Sequence, residues 1–101
     1  MTISEIKNLV NQVAPLYPII SVDLFGSFAT GNNSELSDID LLVCFDENVA
    51  SLFDLSGFKF DVQEKLSKKI DVVAGPLNKN SHLIINKRIR IYDASRQTAV
   101  N

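Results

Sequence analysis

The sequence predicts a small domain of the α/β or α+β class, in which helices cover a sheet. The chain has 101 residues, of which 46% are hydrophobic and 22% are charged. This is enough for one hydrophobic core and is typical of a globular rather than a disordered chain. Segments of helical and strand character alternate, and no linker, repeat or low-complexity stretch interrupts them. Residues 1–101 are therefore expected to form one domain, with 94–101 as a loose tail.

The first half predicts a helix followed by two strands. Thr2 and Glu5 have the spacing of a capping box, and apolar residues then recur every three or four positions until Pro15 and Pro18 stop the helix. Residues 19–25 are apolar and largely β-branched, which predicts a first strand. A small, polar loop with one helical turn at its start is expected over 26–38. The clearest strand in the chain follows over 39–45.

The second half adds two helices and two strands. The apolar spacing over 47–68 predicts a helix that Gly57 weakens. A short strand is expected over 70–74, closed by Gly75 and Pro76. A helix over 80–87 and a last strand over 89–92 complete the order α-β-α-β-α-β plus one strand.

The charged residues are divided unevenly along the chain. Ten basic against twelve acidic residues give a net charge of -2, which argues against a protein that holds duplex DNA on a basic face. Between Lys7 and Lys59, however, every charged residue is acidic. Cys44 is the only cysteine, and neither a signal-peptide pattern nor a membrane-spanning apolar run is present. A cytoplasmic protein without membrane attachment is expected.

Three aspartates are candidates for one shared site. Asp38 and Asp40 flank Ile39 at the start of a strand, so they point to the same face, roughly 6 to 7 Å apart along the chain. Such carboxylates repel each other, and either free access of water or a cation is expected. Asp71 would add a third carboxylate if its strand is a neighbour. Oxygen ligands of this kind suit Mg²⁺, and three aspartates are the usual protein share of a two-metal site acting at phosphorus. Taken alone, each also fits a solvated strand end or edge.

A glycine-containing turn directly follows the first strand. Gly26 would let the backbone approach a ligand, and a helix beginning at Ser27 would aim free amides at an anion. An ordinary tight turn explains this pair as well. A P-loop would need lysine where Asn32 stands, and a calcium loop would need glycine where Val43 stands.

Two segments together resemble the signature of the DNA polymerase beta-type nucleotidyltransferases. They are Gly-Ser-Phe-Ala-Thr-Gly at 26–31 and Ser-Asp-Ile-Asp-Leu-Leu-Val at 37–43. The resemblance is strongest to the minimal nucleotidyltransferase (MNT) proteins and covers nearly the whole chain. It implies an α+β fold, with a small mixed sheet backed by helices, and one nucleotidyltransferase domain over 1–101. It also implies Mg²⁺-dependent transfer of a nucleoside monophosphate, with AMP from ATP as the expected case.

The same resemblance assigns roles to matching positions. The residues implied to be catalytic and to hold two Mg²⁺ ions are Asp38, Asp40 and Asp71. Asp71 would also help to deprotonate the acceptor. The residues implied to bind the nucleotide are Gly26, Ser27, Thr30 and Ser37.

The chain departs from the family pattern in one respect. Many relatives carry arginine within the Gly-Ser-x-x-x-Gly segment, where this chain has Phe28 and Thr30. The change removes a bidentate phosphate contact and puts turnover in doubt. The acidic stretch is then expected to be neutralised by Mg²⁺ rather than by protein cations, in a site without arginine. Any protein cation for the triphosphate would come from the later half, with four candidates: Lys59, Lys65, Lys69 and Lys87.

Three functions are open at this point. The first is transfer of AMP to a protein, expected to be the HEPN-type helical toxin of a toxin–antitoxin pair, because 101 residues leave no room for a second substrate-binding domain. The second is a catalytically weak or inactive nucleotide-binding antitoxin that masks its partner. The third is transfer to a small molecule of the aminoglycoside type, which would need two copies of the chain to enclose the acceptor.

Overall fold

The computed structural model describes residues 1–34, 37–75 and 87–97. In chain order, its elements are α1 (Ile3–Val13), a 3-10 turn (Ala14–Leu16), β1 (Ile19–Phe25), α2 (Ser27–Thr30), β2 (Ile39–Phe45), α3 (Leu52–Leu66), β3 (Ile70–Gly75), β4 (Arg88–Asp93) and α4 (Ala94–Gln97). The helix predicted over 80–87 lies outside these residues, apart from Lys87. Within the described ranges, no helix combines the length and apolar character that crossing a bilayer requires.

The four strands form one mixed sheet in the order β3-β2-β1-β4. The central pair β1 and β2 is antiparallel, as is β1 with β4, whereas β2 and β3 are parallel. The mixed sheet backed by helices is therefore confirmed. Because β1 runs opposite to the other three strands, it ends at the same edge of the sheet at which they begin.

The hydrophobic core lies between one face of the sheet and the helices α1 and α3. Strand residues alternate between the two faces, so every second apolar side chain of β1 and β2 enters this core. Its fully buried members include Ile6, Val10 and Val13 of α1, Phe58 and Val62 of α3, and Val22, Leu24, Ile39, Leu41 and Val43 of the strands. The alternate residues of the strands, including the aspartates of β2 and β3, are left on the opposite face.

Helix α3 runs unbroken through Gly57, where the sequence suggested a weak point. A Cβ atom at Gly57 would lie 2.9 Å from the hydroxyl oxygen of Tyr17. The Tyr17 hydroxyl donates a hydrogen bond to Asp61, and its ring packs edge-on against Phe58, with centroids 6.0 Å apart. Gly57 is therefore the position at which the tyrosine docks on the helix, and this packing offsets the low helix propensity of glycine.

Replacing Tyr17 with phenylalanine is expected to lower the free energy of unfolding by about 1 kcal/mol near neutral pH, because Asp61 loses its donor. The hydrogen bond to Asp61, with burial and the Asp61 charge, raises the pKa of Tyr17 to about 12. Since the folded pKa exceeds the unfolded value near 10, this stabilisation is complete below that value and is lost as the pH rises through about 12. Urea unfolding of both proteins should show the difference shrinking over this range. A constant difference would contradict the assignment.

The residues after β4 differ from the loose tail predicted over 94–101. Ala94–Gln97 form the short helix α4. Asp93 Oδ1 accepts hydrogen bonds from the Ser95 amide at 3.0 Å and the Ser95 hydroxyl at 2.6 Å, which fixes the start of this turn. Residues 98–101 lie outside the described part of the chain.

Candidate active site

A row of four residues crosses the sheet at the edge where β2, β3 and β4 begin. Phe25 is opposite Asp40 on one side and opposite Arg88 on the other, and Asp40 is in register with Asp71. Residues directly opposite one another in neighbouring strands project to the same face. The order across the sheet is therefore Arg88, Phe25, Asp40, Asp71, all on the face away from α1 and α3.

Asp38 lies just before β2 and two residues from Asp40. Its Oδ2 atom is 3.7 Å from Nζ of Lys69, whose side chain is largely exposed, whereas the side chain of Asp38 is 39% exposed. The Lys69 carbonyl accepts a hydrogen bond from the Ile39 amide at 3.1 Å, which joins the segments that precede β2 and β3. The backbone therefore brings the three aspartates predicted from the sequence to one place.

The carboxylates act on one another electrostatically. Burial raises the pKa of Asp40 above its ordinary value, and the charges of Asp71 and then Asp38 raise it further. Desolvation and like charges both disfavour the ionised form. A divalent cation would reverse this balance, because it favours the ionised carboxylates.

The described side chains do not form a closed metal cage. Among these residues, no group of three or more His, Cys, Asp or Glu side chains converges closely enough to hold a metal ion. The spread is consistent with mutual repulsion and with the position of Asp38 beside Lys69. The all-oxygen set nevertheless fits Mg²⁺, which binds through one or two carboxylates and completes its octahedron with water and phosphate oxygens.

Replacing Asp40 with asparagine is expected to stabilise the metal-free protein near neutral pH by up to about 1 kcal/mol, since a charge opposite a like charge in a sheet is removed. Folding raises the pKa of Asp40. The wild type is therefore less stable than the variant above that pKa, and this difference in stability should shrink as the pH falls through it. Thermal unfolding in a chelator should show the variant melting higher, and added Mg²⁺ should stabilise the wild type more than the variant. Equal melting temperatures in chelator would contradict the repulsion.

The backbone at Gly26 touches the carboxylate of Asp40. Gly26 has φ 74° and ψ -153°, and a Cβ atom there would lie 2.2 Å from Oδ2 of Asp40. Helix α2 begins at Ser27, as predicted, and ends at Gly31 in the left-handed conformation. The glycine therefore permits a close approach to the aspartate pair, which joins the two sequence motifs in space.

Two of the predicted nucleotide-binding hydroxyls form hydrogen bonds within the loop. Thr30 Oγ1 donates towards the Ser27 carbonyl at 3.3 Å, inside α2. Ser37 Oγ accepts a hydrogen bond from the Ser34 amide at 2.9 Å. Both side chains shape the segment between β1 and β2, and their role towards a nucleotide stays a prediction.

The basic residues are placed differently from the sequence expectation. Of the four lysine candidates, Lys69 lies beside Asp38, whereas Lys59 and Lys65 belong to α3, which covers the other face. Sequence reasoning missed Arg88, which stands in the row of the aspartates. No local sequence pattern could have found it, because Arg88 joins this row only through the pairing of β4 with β1.

Protein cations also reach the acidic stretch directly. Asp23 is buried and pairs with Arg88 and Arg90, and Asp38 lies beside Lys69. The expectation that metal rather than protein neutralises this stretch is therefore wrong for Asp23, whereas the metal role of Asp38 stays a prediction. The sheet order brings the basic strand β4 against β1, and no local sequence pattern reveals that pairing.

Comparison with known proteins identifies the family. The nucleotidyltransferase domain model matches residues 6–96. A candidate protein adenylyltransferase of Methanocaldococcus jannaschii is 38% identical over 73 residues, which are 72% of this chain and 77% of that protein. The residues that the domain model matches include all four strands of the sheet.

Solved structures share the fold. A candidate minimal nucleotidyltransferase is 30% identical, with a TM-score of 0.64 over 73% of this chain and 78% of the other. A toxin–antitoxin structure with AMP-PNP has a TM-score of 0.68 at 16% identity, over 92% and 77% of the two chains. A tri-AMPylated Shewanella oneidensis HEPN toxin in complex with an MNT antitoxin gives 0.55 at 14% identity, over 93% and 77%. The chain thus belongs to the nucleotidyltransferase domain family, as one of its minimal members.

Proposed function

We propose that this chain transfers AMP from ATP to a hydroxyl group of a protein in a Mg²⁺-dependent reaction. The observation that carries the proposal is the register of Asp40 and Asp71 on adjacent parallel strands, with Asp38 two residues away. The contact of Gly26 with Asp40 adds a backbone turn that a triphosphate can approach. The name of the Methanocaldococcus jannaschii relative, a candidate protein adenylyltransferase, supports AMP as the transferred group. The structural neighbour with AMP-PNP supports ATP as the donor of this group.

The proposed reaction is an in-line displacement at the α-phosphorus. The acceptor oxygen forms a bond to this phosphorus, the bond to the bridging oxygen of the β-phosphate breaks, and pyrophosphate leaves. Bound Mg²⁺ would neutralise the charge of the phosphate oxygens. Asp38 and Asp40 would hold the ions, while Asp71 would also accept the proton of the attacking hydroxyl. The backbone at Gly26 and Ser27 would orient the triphosphate.

The proposed acceptor is a separate helical protein of the HEPN type. A structural neighbour of this chain is an MNT antitoxin bound to an AMPylated HEPN toxin. The described elements form one sheet with its covering helices. We propose a cytoplasmic toxin–antitoxin pair, in line with a single cysteine in the sequence.

The test uses ATP labelled on either the α- or the γ-phosphate. The purified chain and Mg²⁺ are incubated with each label and with the product of the adjacent gene, which the proposal expects to be a HEPN-type protein, and this acceptor is analysed by electrophoresis. Label should reach the acceptor from the α-phosphate alone. Absence of label, or equal labelling from the γ-phosphate, would sink the proposal.

A masking antitoxin without turnover is the second candidate. It is favoured by the α2 segment, which carries no basic residue because Phe28 and Thr30 stand there. The discriminating variant is Asp38→Asn/Asp40→Asn, expressed together with the partner. Neutralisation of the partner by this variant, equal to that by the wild type, would establish masking; loss of neutralisation supports AMP transfer.

A further inference from the structure

Two arginines of β4 lie on the same face of the sheet as the aspartate row. Arg88 is opposite Phe25 and Arg90 is opposite Asp23 in the pairing of β4 with β1. The side chain of Asp23 is only 6% exposed and lies between the two guanidinium groups. A buried carboxylate needs such a partner, because an unpaired charge is costly away from water.

The two arginines are held differently. Arg90 donates a hydrogen bond from Nε to Asp23 Oδ1 and another from Nη1 to Asp93 Oδ2 at 3.1 Å. Arg88 Nε stands 3.6 Å from Asp23 Oδ2, beyond hydrogen-bond distance, and its side chain is 51% exposed. Arg90 therefore supplies the hydrogen bond that the buried carboxylate needs. Asp23 attracts Arg88 electrostatically but forms no hydrogen bond with its Nε atom.

The position of Arg88 relative to the aspartates follows from the strand order. Arg88 and Asp40 are separated by two strand spacings, about 10 Å, and Phe25 lies between them. Asp71 lies on the other flank of Asp40. Asp71 and Arg88 are thus on opposite sides of the residue that is central to the site.

In-line displacement places the attacking oxygen and the leaving group on opposite sides of phosphorus. If the acceptor hydroxyl approaches on the Asp71 side, the pyrophosphate departs towards Phe25 and Arg88. The geometry points to Arg88 as the residue that binds the β- and γ-phosphates of the nucleoside triphosphate, an inference that rests on the proposed function. A planar guanidinium suits this task because it can bind phosphate oxygens in pairs.

The experiment measures binding of AMP-PNP and of AMP by calorimetry, with Mg²⁺ present. Arg88→Gln should weaken AMP-PNP binding by about tenfold or more, since a charged hydrogen bond is lost, and leave AMP binding unchanged. Arg88→Lys should bind AMP-PNP with intermediate affinity. Lys7→Gln is the matched control, because it removes the same charge from an exposed position on α1, which covers the other face of the sheet, and it should bind as the wild type does.

Three outcomes separate the inference from the proposed function. Wild-type affinity of Arg88→Gln for AMP-PNP would overturn the inference alone. Equal weakening towards AMP and AMP-PNP would also overturn it, because Arg88 would then be shaping the site rather than binding the outer phosphates. Failure of the wild type to bind AMP-PNP would overturn the proposed function, and the inference with it.

Discussion

Replacing Asp40 with asparagine is expected to reduce AMP transfer by at least about a thousandfold. The change removes one charge from the centre of the row between Phe25 and Asp71, where the ions are proposed to bind. Metal ions at such sites supply several kcal/mol of transition-state stabilisation, and each 1.4 kcal/mol is about tenfold in rate. The measurement is the rate of pyrophosphate release in the presence of the acceptor.

Glu64→Gln provides the control for this loss. Glu64 is an exposed carboxylate on α3, away from the aspartate row, so its replacement changes the net charge equally and should leave the rate unchanged. Unfolding cannot explain a loss in Asp40→Asn, since this variant is expected to be the more stable protein without metal. Retention of a tenth or more of the wild-type rate would contradict the assignment of Asp40.

The second large effect is expected from replacing Gly26 with alanine. The φ of 74° and ψ of -153° lie in a region that is essentially restricted to glycine, and the added Cβ would lie 2.2 Å from Asp40 Oδ2. Either the loop or the carboxylate must move. We expect a loss of about 1 to 3 kcal/mol in unfolding free energy and at least about a hundredfold in transfer rate, because small displacements at a reacting centre have effects of this size.

Gly31→Ala separates backbone strain from the clash. Gly31 also has a positive φ, of 81°, but a Cβ atom there would meet no other atom within 4 Å. This variant should lose about 1 to 2 kcal/mol of stability and keep its transfer rate within a few-fold. Equal transfer rates for Gly26→Ala and Gly31→Ala would show that the contact with Asp40 has no part in the reaction.

Much of the local structure is predictable because hydrophobic periodicity and glycine or proline boundaries mark it. The bounds Ile19–Phe25 and Ile39–Phe45 agree with the sequence prediction, and α2 begins at Ser27 as expected. The pairing of strands is different, because it depends on contacts between residues far apart in sequence. The sequence therefore predicts that Asp40 and Asp71 are neighbours only if their strands pair, and the parallel pairing of β2 with β3 meets this condition.

The remaining differences have tertiary causes. Gly57 interrupts a helical pattern in the sequence, but in the folded chain the side chain of Tyr17 packs directly against it. Arg88 carries no local signal of function, because its place beside Phe25 arises only when β4 pairs with β1. The uneven distribution of charge along the sequence is likewise balanced between neighbouring strands, because Arg90 of β4 forms an ion pair with Asp23 of β1.

The most direct test of the central claim is the binding of Mn²⁺, as a spectroscopic substitute for Mg²⁺, followed by electron paramagnetic resonance with AMP-PNP present. The wild type should bind the ion together with the nucleotide analogue, and Asp40→Asn should bind it at least about tenfold more weakly, because a carboxylate ligand is lost. Equal Mn²⁺ binding by the two proteins would contradict a metal site built on Asp38, Asp40 and Asp71.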